Sequence, residues 1–219
     1  MKKVIVFGGS GFLGSHVADA LTDNGYDVTI FDTIESPWLR DSQKMVIGDI
    51  LDFNSLNTLL ENVFAVYNFA AIADLNEAID KPIETVKINI LGNVNILEAC
   101  KNNNVKKFIY ASSVYVNSRE GGFYKCSKNA SEDYVVEYGL KYGLDYTILR
   151  YGSLYGPRSD DHNGLFRIVK KALDSNKIIY SGSKETIRQY IHVQDAAKAS
   201  VEALANEYNN EILILSGQE

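Results

Sequence analysis

The stretch VFGGSGFLGSH, residues 6–16, carries glycines at positions 8, 11 and 14 between a β-branched run and a segment with helical periodicity. This spacing at a strand–helix junction is typical of a dinucleotide-binding turn. Gly8 permits the tight turn, Gly11 lets a pyrophosphate approach the backbone, and Gly14 lets the helix pack on the strand. The alternative is a tight strand–helix turn without a ligand, but the flanking segments favour a Rossmann-type unit.

The strand that follows the glycine turn, DVTIFD (27–32), ends in an aspartate, Asp32. A carboxylate at this place can accept hydrogen bonds from both ribose hydroxyls and would repel a 2′-phosphate. The sequence therefore predicts NAD rather than NADP as the cofactor. Asp49, in GDI, ends the next strand, and its alternative role is to cap a helix in FNSLNTLL (53–60).

Strand-like and helix-like segments alternate through the first two thirds of the chain. The predicted strands are 3–7, 27–32, 44–49, 65–70, 106–112 and 145–151, and the main predicted helices are 12–25, 85–103 and 123–143. This alternation predicts an α/β fold with a Rossmann-type, doubly wound parallel sheet.

The pattern changes after about residue 152, where YGPRSDDHNG (155–164) is rich in turn residues. Helices are then predicted at 165–176 and 193–207, and strands at 177–183 and 211–217. We expect two units. Residues 1–152 form the NAD-binding domain, to which 189–206 return, and residues 153–188 and 207–219 form a small substrate-binding lobe that is either truncated or a minimal form.

The composition excludes several classes of function. The chain of 219 residues has a net charge of −6 and no long basic run, so nucleic-acid binding is not expected. Its apolar runs are strand-sized, which predicts neither a membrane span nor a signal peptide and favours a cytoplasmic protein. Two cysteines and three scattered histidines predict no disulfide framework and no metal site.

Two segments have the spacing Tyr-x-x-x-Lys, namely Tyr124–Lys128 and Tyr180–Lys184. On a helix, this spacing puts a phenol and an ammonium on one face, where the charge favours the phenolate needed by a general base. Because the chain has 14 tyrosines, a chance match is expected, and spacing alone does not choose between the two.

The order of motifs along the chain resembles the extended short-chain dehydrogenase/reductases, the NAD-dependent sugar-nucleotide epimerase/dehydratase family. The motifs are GGSGFLGSH, GDI, NFAA, NILGNVNILEA, FIYASS, YKCSK, RYGSLYGPR and RQYIHVQDAA. They are closest to the pattern of UDP-sugar 4-epimerases. The resemblance implies NAD as cofactor, a nucleotide-diphosphate sugar as substrate, and a homodimer built on helices 85–103 and 122–142.

The resemblance also implies roles for individual residues. The catalytic group is Ser113, Tyr124 and Lys128, so Tyr180–Lys184 is interpreted as the chance match. The substrate contacts are Ser113, Ser153 and Arg188, with Arg158 a weaker candidate for the substrate diphosphate. The cofactor contacts are Gly8, Gly11, Phe12, Leu13, Gly14, Asp32, Asp49, Ile50, Phe69, Ala70, Ala71, Asn89, Tyr124, Lys128 and Tyr151.

Two residues after Ser113 narrow the reaction. In the family that the chain resembles, dehydratases carry an Asp-Glu pair there, decarboxylases a glutamate, and fucose-type epimerase-reductases a cysteine. This chain has Val114 and Tyr115, which favours a nucleotide-sugar 4-epimerase. The alternatives are a nucleotide-sugar 4-ketoreductase or dehydratase, or a non-catalytic NAD-binding sensor or scaffold. The short interval from Ser113 to Tyr124 predicts a more open site.

Overall fold

The computed structural model describes residues 1–178 and 188–217, which build an α/β fold around a seven-stranded parallel sheet. The strands in chain order are β1 Lys3–Phe7, β2 Asp27–Asp32, β3 Lys44–Ile47, β4 Ala65–Asn68, β5 Lys107–Ser113, β6 Asp145–Tyr151, β7 Ser153–Tyr155, β8 Tyr190–His192 and β9 Glu211–Leu215. The order in the main sheet is β3-β2-β1-β4-β5-β6-β9, and β7 pairs with β8 in a separate parallel ribbon. The predicted fold class is confirmed.

The helices largely follow the predicted segments. They are α1 Phe12–Asp23, α2 Phe53–Leu59, α3 Leu75–Asp80, α4 Pro82–Thr85, a π-helix Val86–Gly92, α5 Asn93–Asn102, a 3₁₀ helix Val114–Asn117, α6 Gly122–Tyr142, α7 Gly164–Ser175, α8 Val193–Glu202 and a 3₁₀ helix Asn206–Tyr208. The helix expected over 85–103 is therefore a π-helix that continues into α5. None of the described helices combines the length and apolarity that crossing a bilayer requires.

Alternate side chains of the strands enter two cores, one on each face of the sheet. Ile5 and Phe7 face the core that α2, α5 and α6 cover, whereas Val4 and Val6 face the core that α1 and α8 cover. The strand order reverses between β1 and β4, so the connections after these strands diverge. This divergence opens the crevice at which open α/β sheets bind ligands.

The last strand lies in the main sheet, not in the lobe to which residues 207–219 were assigned. Its pairing with β6 runs in register from Thr147 opposite Glu211 to Tyr151 opposite Leu215. Leu213 and Leu215 pack against the core under α1 and α8. The apolar residues of EILIL that alternate along the strand therefore bury one side of it, and this burial favours its position at the edge of the main sheet. The assignment of these strand residues to the lobe was therefore wrong.

Candidate active site

A cavity of about 880 Å³ opens at the point where the strand order reverses. It is bounded by the segments that follow β1, β2, β3 and β4, and by a loop after β7. The predicted cofactor residues that line it are Gly8, Gly11, Phe12, Asp32, Asp49, Ile50, Phe69, Ala70 and Ala71. Residues from four separate motifs thus meet at one site.

The glycine turn has the shape that a diphosphate requires. Gly8 has a φ of +73°, and a Cβ built there would lie 2.6 Å from the amide nitrogen of Ala70. A Cβ at Gly14 would lie 2.2 Å from the Gly8 carbonyl oxygen, so Gly14 serves the packing of α1 on the turn and does not line the cavity. Gly11 precedes α1 and caps it without a side-chain hydrogen bond, which leaves first-turn amides to an anion.

The two aspartates at the strand ends are fixed by backbone amides. Asp32 accepts hydrogen bonds from Ser10 N at 3.0 Å and from Thr33 N at 2.8 Å, and its carboxylate oxygens keep further lone pairs for ribose hydroxyls. Asp49 accepts from Leu51 N at 2.9 Å and does not cap α2, whose cap is Asp52. The helix-capping alternative for Asp49 is therefore wrong.

The predicted catalytic side chains come together where β5 ends beside the first turns of α6. Ser113 is the last residue of β5, and Tyr124 and Lys128 lie one turn apart on the buried face of α6. Tyr124 lies near enough to Ser113 for the serine to lower the pKa of its phenol. Lys128 Nζ donates to the Ala111 carbonyl oxygen at 2.6 Å and lies 5.8 Å from the centroid of the Tyr124 ring.

Ser113 and Tyr124 line a second cavity of about 390 Å³, together with Ser153 and Arg188. Arg188 Nη1 donates to the Tyr115 hydroxyl at 3.0 Å, and the Tyr115 ring meets the Tyr124 ring edge-on at 6.5 Å between centroids. The structure therefore brings the three predicted substrate residues together. It adds Tyr115, which stands where the resemblance places a carboxylate in other branches of the family and which had been assigned no contact. Tyr180 and Lys184 lie outside the described residues.

The comparisons with known proteins assign the family. The model of the NAD dependent epimerase/dehydratase family matches residues 4–215. The chain is a member of this epimerase/dehydratase family. Its cofactor is NAD, and the glycine turn, the free amides at the start of α1 and Asp32 are suited to hold it.

Relatives of this family member include more than one kind of enzyme. The chain is 32% identical to a putative UDP-glucose 4-epimerase of Methanocaldococcus jannaschii, covering 99% of this chain and 77% of that protein. It is 30% identical to a UDP-N-acetyl-alpha-D-glucosaminuronate decarboxylase of Bacillus cytotoxicus, covering 100% of this chain and 76% of that protein. The UDP-glucuronic acid 4-epimerase of Bacillus cereus, solved with UDP-glucuronic acid and NAD, superimposes with a TM-score of 0.89 at 27% identity, covering 99% of this chain and 78% of that one.

Burial dominates the protonation of the epimerase/dehydratase site. It raises the pKa of Tyr124 to about 12, against the lowering effect of Ser113. It lowers the pKa of Lys128 to about 8, against the raising effect of Glu132. In the protein alone, burial sets the direction of the Tyr124 shift, and the Lys128 ammonium donates to the Ala111 carbonyl oxygen. The lowering of the Tyr124 pKa that was expected from Lys128 together with an oxidised nicotinamide stays a prediction for the NAD-bound protein.

Besides Gly14, four predicted cofactor residues line neither cavity, namely Leu13, Asn89, Lys128 and Tyr151. Leu13 packs against the core under α1. Asn89, in the π-helix, accepts from Ile72 N at 2.7 Å and donates to Ile72 O at 3.0 Å and Ser127 Oγ at 2.9 Å. Tyr151 is buried with its hydroxyl 2.7 Å from Ser200 Oγ. Asn89 thus acts on the cavity through Ile72, which lines it, and π-helical turns are frequent at such sites.

A buried ion pair supports the end of β5. Glu132 accepts from Ser112 Oγ and from Arg150, whose Nε and Nη2 lie 3.0 and 2.6 Å from its two oxygens. Glu132 was missed in the sequence, although its position one turn beyond Lys128 on the same face of α6 was the available signal. The pair fixes the neighbour of Ser113 and adds negative charge near Lys128.

Proposed function

We propose that the chain is an NAD-dependent nucleotide-sugar 4-epimerase, which oxidises the C4 alcohol of a sugar transiently and returns the hydride to the opposite face. The observation that carries this proposal is that Ser113 and Tyr124 both line the second cavity. This cavity lies next to the cavity of about 880 Å³ at the switch point of the sheet, which we call the NAD cavity. The segment from Ala70 to Asn76 borders both cavities, since its first residues line one and its last residues line the other.

The residues of the site have complementary tasks. Ser113 holds the C4 hydroxyl, and Tyr124 takes its proton as the carbon gives up a hydride. NAD supplies the hydride acceptor and later the hydride donor. Lys128 lies one turn from Tyr124 on the same face of α6, and with NAD bound its ammonium and the positive nicotinamide together would favour the phenolate that proton removal requires. When the ketone is reduced again, Tyr124 returns the proton, so the protein ends in the state in which it began.

The neighbours of Ser113 favour epimerisation over elimination or decarboxylation. Val114 and Tyr115 supply no carboxylate or thiol to act on a second carbon of the sugar. The Tyr115 hydroxyl is engaged with Arg188 instead. The Arg188 guanidinium lines this cavity and is suited to the diphosphate of a nucleotide sugar, so the substrate class agrees with that of the epimerases named above.

The direct experiment is incubation of the purified protein with UDP-glucose, UDP-N-acetylglucosamine or UDP-glucuronic acid, each without added NAD. Chromatography should show conversion of at least one of them to its C4 epimer, and Tyr124→Phe should abolish that conversion. Failure to interconvert any pair by the NAD-loaded protein would contradict the proposal. Reduction of a 4-keto sugar with added NADH, without epimerisation, would identify a ketoreductase. NAD binding without any turnover would identify a non-catalytic module.

A further inference from the structure

Arg158 was considered for the substrate, but its side chain lines the NAD cavity. It follows β7 in a loop that rests on α1, where the Pro157 carbonyl oxygen lies 3.0 Å from His16 Nε2. Arg158 Nη2 donates to Asp19 Oδ2 at 2.6 Å, and Asp19 is on the same helix. The loop is therefore anchored to the helix whose N-terminus faces the cavity.

The guanidinium of Arg158 is held on two sides. Its Cζ lies 4.9 Å from the centroid of the Trp38 ring, and Nη2 is bound to Asp19. Its other terminal nitrogen, Nη1, is buried and has no hydrogen-bond partner among the described residues. Arginine stays charged, and a buried donor without an acceptor costs free energy. A hydrogen bond from Nη1 to an acceptor outside the protein would therefore be stabilising.

The charges around the cavity indicate what that acceptor is. Arg158 carries the only cationic side chain among the described residues that line this cavity, and the other charged ones are Asp32, Asp49 and Asp160. The cofactor brings two negative phosphates into this acidic surrounding. The amides at the start of α1 and the Arg158 guanidinium are then the positive groups available to them.

We propose that Arg158 is a cofactor-binding residue whose Nη1 donates a hydrogen bond to an oxygen of the NAD diphosphate. Asp19 and Trp38 position the guanidinium for this contact. The loop after β7 thereby contacts the cofactor, and the contact adds to the retention of NAD between turnovers. Trp38 is the only tryptophan of the chain, so its fluorescence reports on this side of the cavity.

The test is calorimetric titration of NAD, ADP and adenosine into NAD-free wild type and Arg158→Ala, with Trp38 fluorescence as a second readout in the wild type. A lost charge-assisted hydrogen bond should weaken the binding of NAD and ADP by about 10- to 100-fold and leave adenosine binding unchanged. Arg40→Ala is the matched control, because Arg40 also pairs with the Asp19 region of α1 but does not line the cavity.

Equal affinity of wild type and Arg158→Ala for NAD would overturn the proposal. An equal loss of affinity for NAD, ADP and adenosine would also overturn it, because it would indicate that Arg158 has a structural role. Thermal denaturation of the NAD-free proteins checks folding, and Arg158→Gln replaces Arg158→Ala if the latter does not fold. No sugar nucleotide is present, so the result is independent of whether the protein is a 4-epimerase.

Discussion

Tyr124 is the residue on which the proposed chemistry depends most directly. Tyr124→Phe is expected to lower kcat by about 10²- to 10⁴-fold, since the proton acceptor is removed while the ring and its packing remain. NAD affinity should not change. Epimerisation assays and NAD titration measure the two effects, and Tyr134→Phe, an exposed position on the same helix, is the control. Turnover by Tyr124→Phe at the wild-type rate would exclude Tyr124 as the base.

Lys128 is expected to lower the free energy of unfolding at neutral pH. Its pKa is lowered by burial from 10.5 to about 8, so between these values the unfolded chain binds the proton more tightly than the folded one. The wild type should therefore gain up to about 3 kcal/mol of unfolding free energy relative to Lys128→Met as pH rises from about 8 to 10.5. Denaturant unfolding at several pH values across this window measures the difference.

Two comparisons isolate this effect of Lys128. Lys107 also has a pKa lowered by burial to about 8, but it is present in both proteins and cancels in the difference. Lys141→Met, at an exposed position on α6, should show no such pH dependence relative to the wild type. A difference between wild type and Lys128→Met that stays constant with pH would contradict the prediction.

At the residue scale, the sequence predicts groups that lie close along the chain. The spacing of Tyr124 and Lys128 predicts their shared helix face, and the motif order predicts Ser113 beside them. The contact of Arg188 with Tyr115 joins residues 73 positions apart, and the Lys128 ammonium binds a main-chain oxygen of β5. Neither follows from residue types or spacing, because both depend on how separate elements are packed.

The π-helix is the element that connects the helical layer to the NAD cavity. Asn89→Ala is expected to lower the unfolding free energy by about 1–3 kcal/mol, because buried groups of Ile72 and Ser127 lose a partner. It should also weaken NAD binding, since Ile72 lines the cavity. Denaturant unfolding and NAD titration measure both, with Asn102→Ala, an exposed asparagine on α5, as control. Unchanged stability together with unchanged NAD affinity would refute this role.

The sequence predicted a helix here but not its type. Apolar residues at positions 86, 90, 94 and 97 fit an α-helical stripe, and a π-helical turn adds a residue without leaving a signal in residue types. The effect of the π-helix is seen only in the packing of the folded chain, where Asn89 and Gly92 are both buried. A Cβ at Gly92 would lie 2.4 Å from Ile50 Cδ1, and Ile50 lines the NAD cavity.

The 3₁₀ helix Val114–Asn117 brings a hydroxyl to the second cavity. Tyr115→Phe removes the acceptor of the Arg188 hydrogen bond and is expected to raise KM for the nucleotide sugar about 2- to 10-fold with little change in kcat. Steady-state kinetics measures the changes in KM and kcat separately. Tyr142→Phe is the control, since Tyr142 is exposed on α6. A fall in kcat at constant KM would instead place Tyr115 in the chemical step.

At the scale of the whole molecule, the glycine turn and the strand–helix alternation predicted the parallel sheet and the crevice at its switch point. They did not predict that residues 211–215 close the sheet beside β6. Parallel pairing joins strands that are far apart in sequence, and an apolar run of five residues is equally compatible with a strand of the lobe. Whether residues 153–178 and 188–192 act as a separate lobe stays a prediction.

Oligomeric state is the last prediction, and it concerns one apolar face of the molecule. Ile83, Val86 and Phe123 are 70%, 53% and 50% exposed. They line a shared surface depression of about 410 Å³ together with Ile90 and Cys126. The depression joins α4, the π-helix and the start of α6, the region that the family resemblance assigns to a dimer. We expect a homodimer in which this face meets the same face of a second copy.

Phe123→Glu is expected to convert the dimer to a monomer, because it puts two like charges into an apolar interface. Light scattering coupled to gel filtration measures the mass, and Leu173→Glu is the control, since Leu173 is 76% exposed on α7 and lies outside this face. A monomeric wild type at micromolar concentration would contradict the prediction. Phe123 immediately precedes Tyr124 in the first turn of α6, so dissociation should also loosen Tyr124, the proposed base. Turnover per chain is therefore expected to fall on dilution in the wild type and to be low at all concentrations in Phe123→Glu.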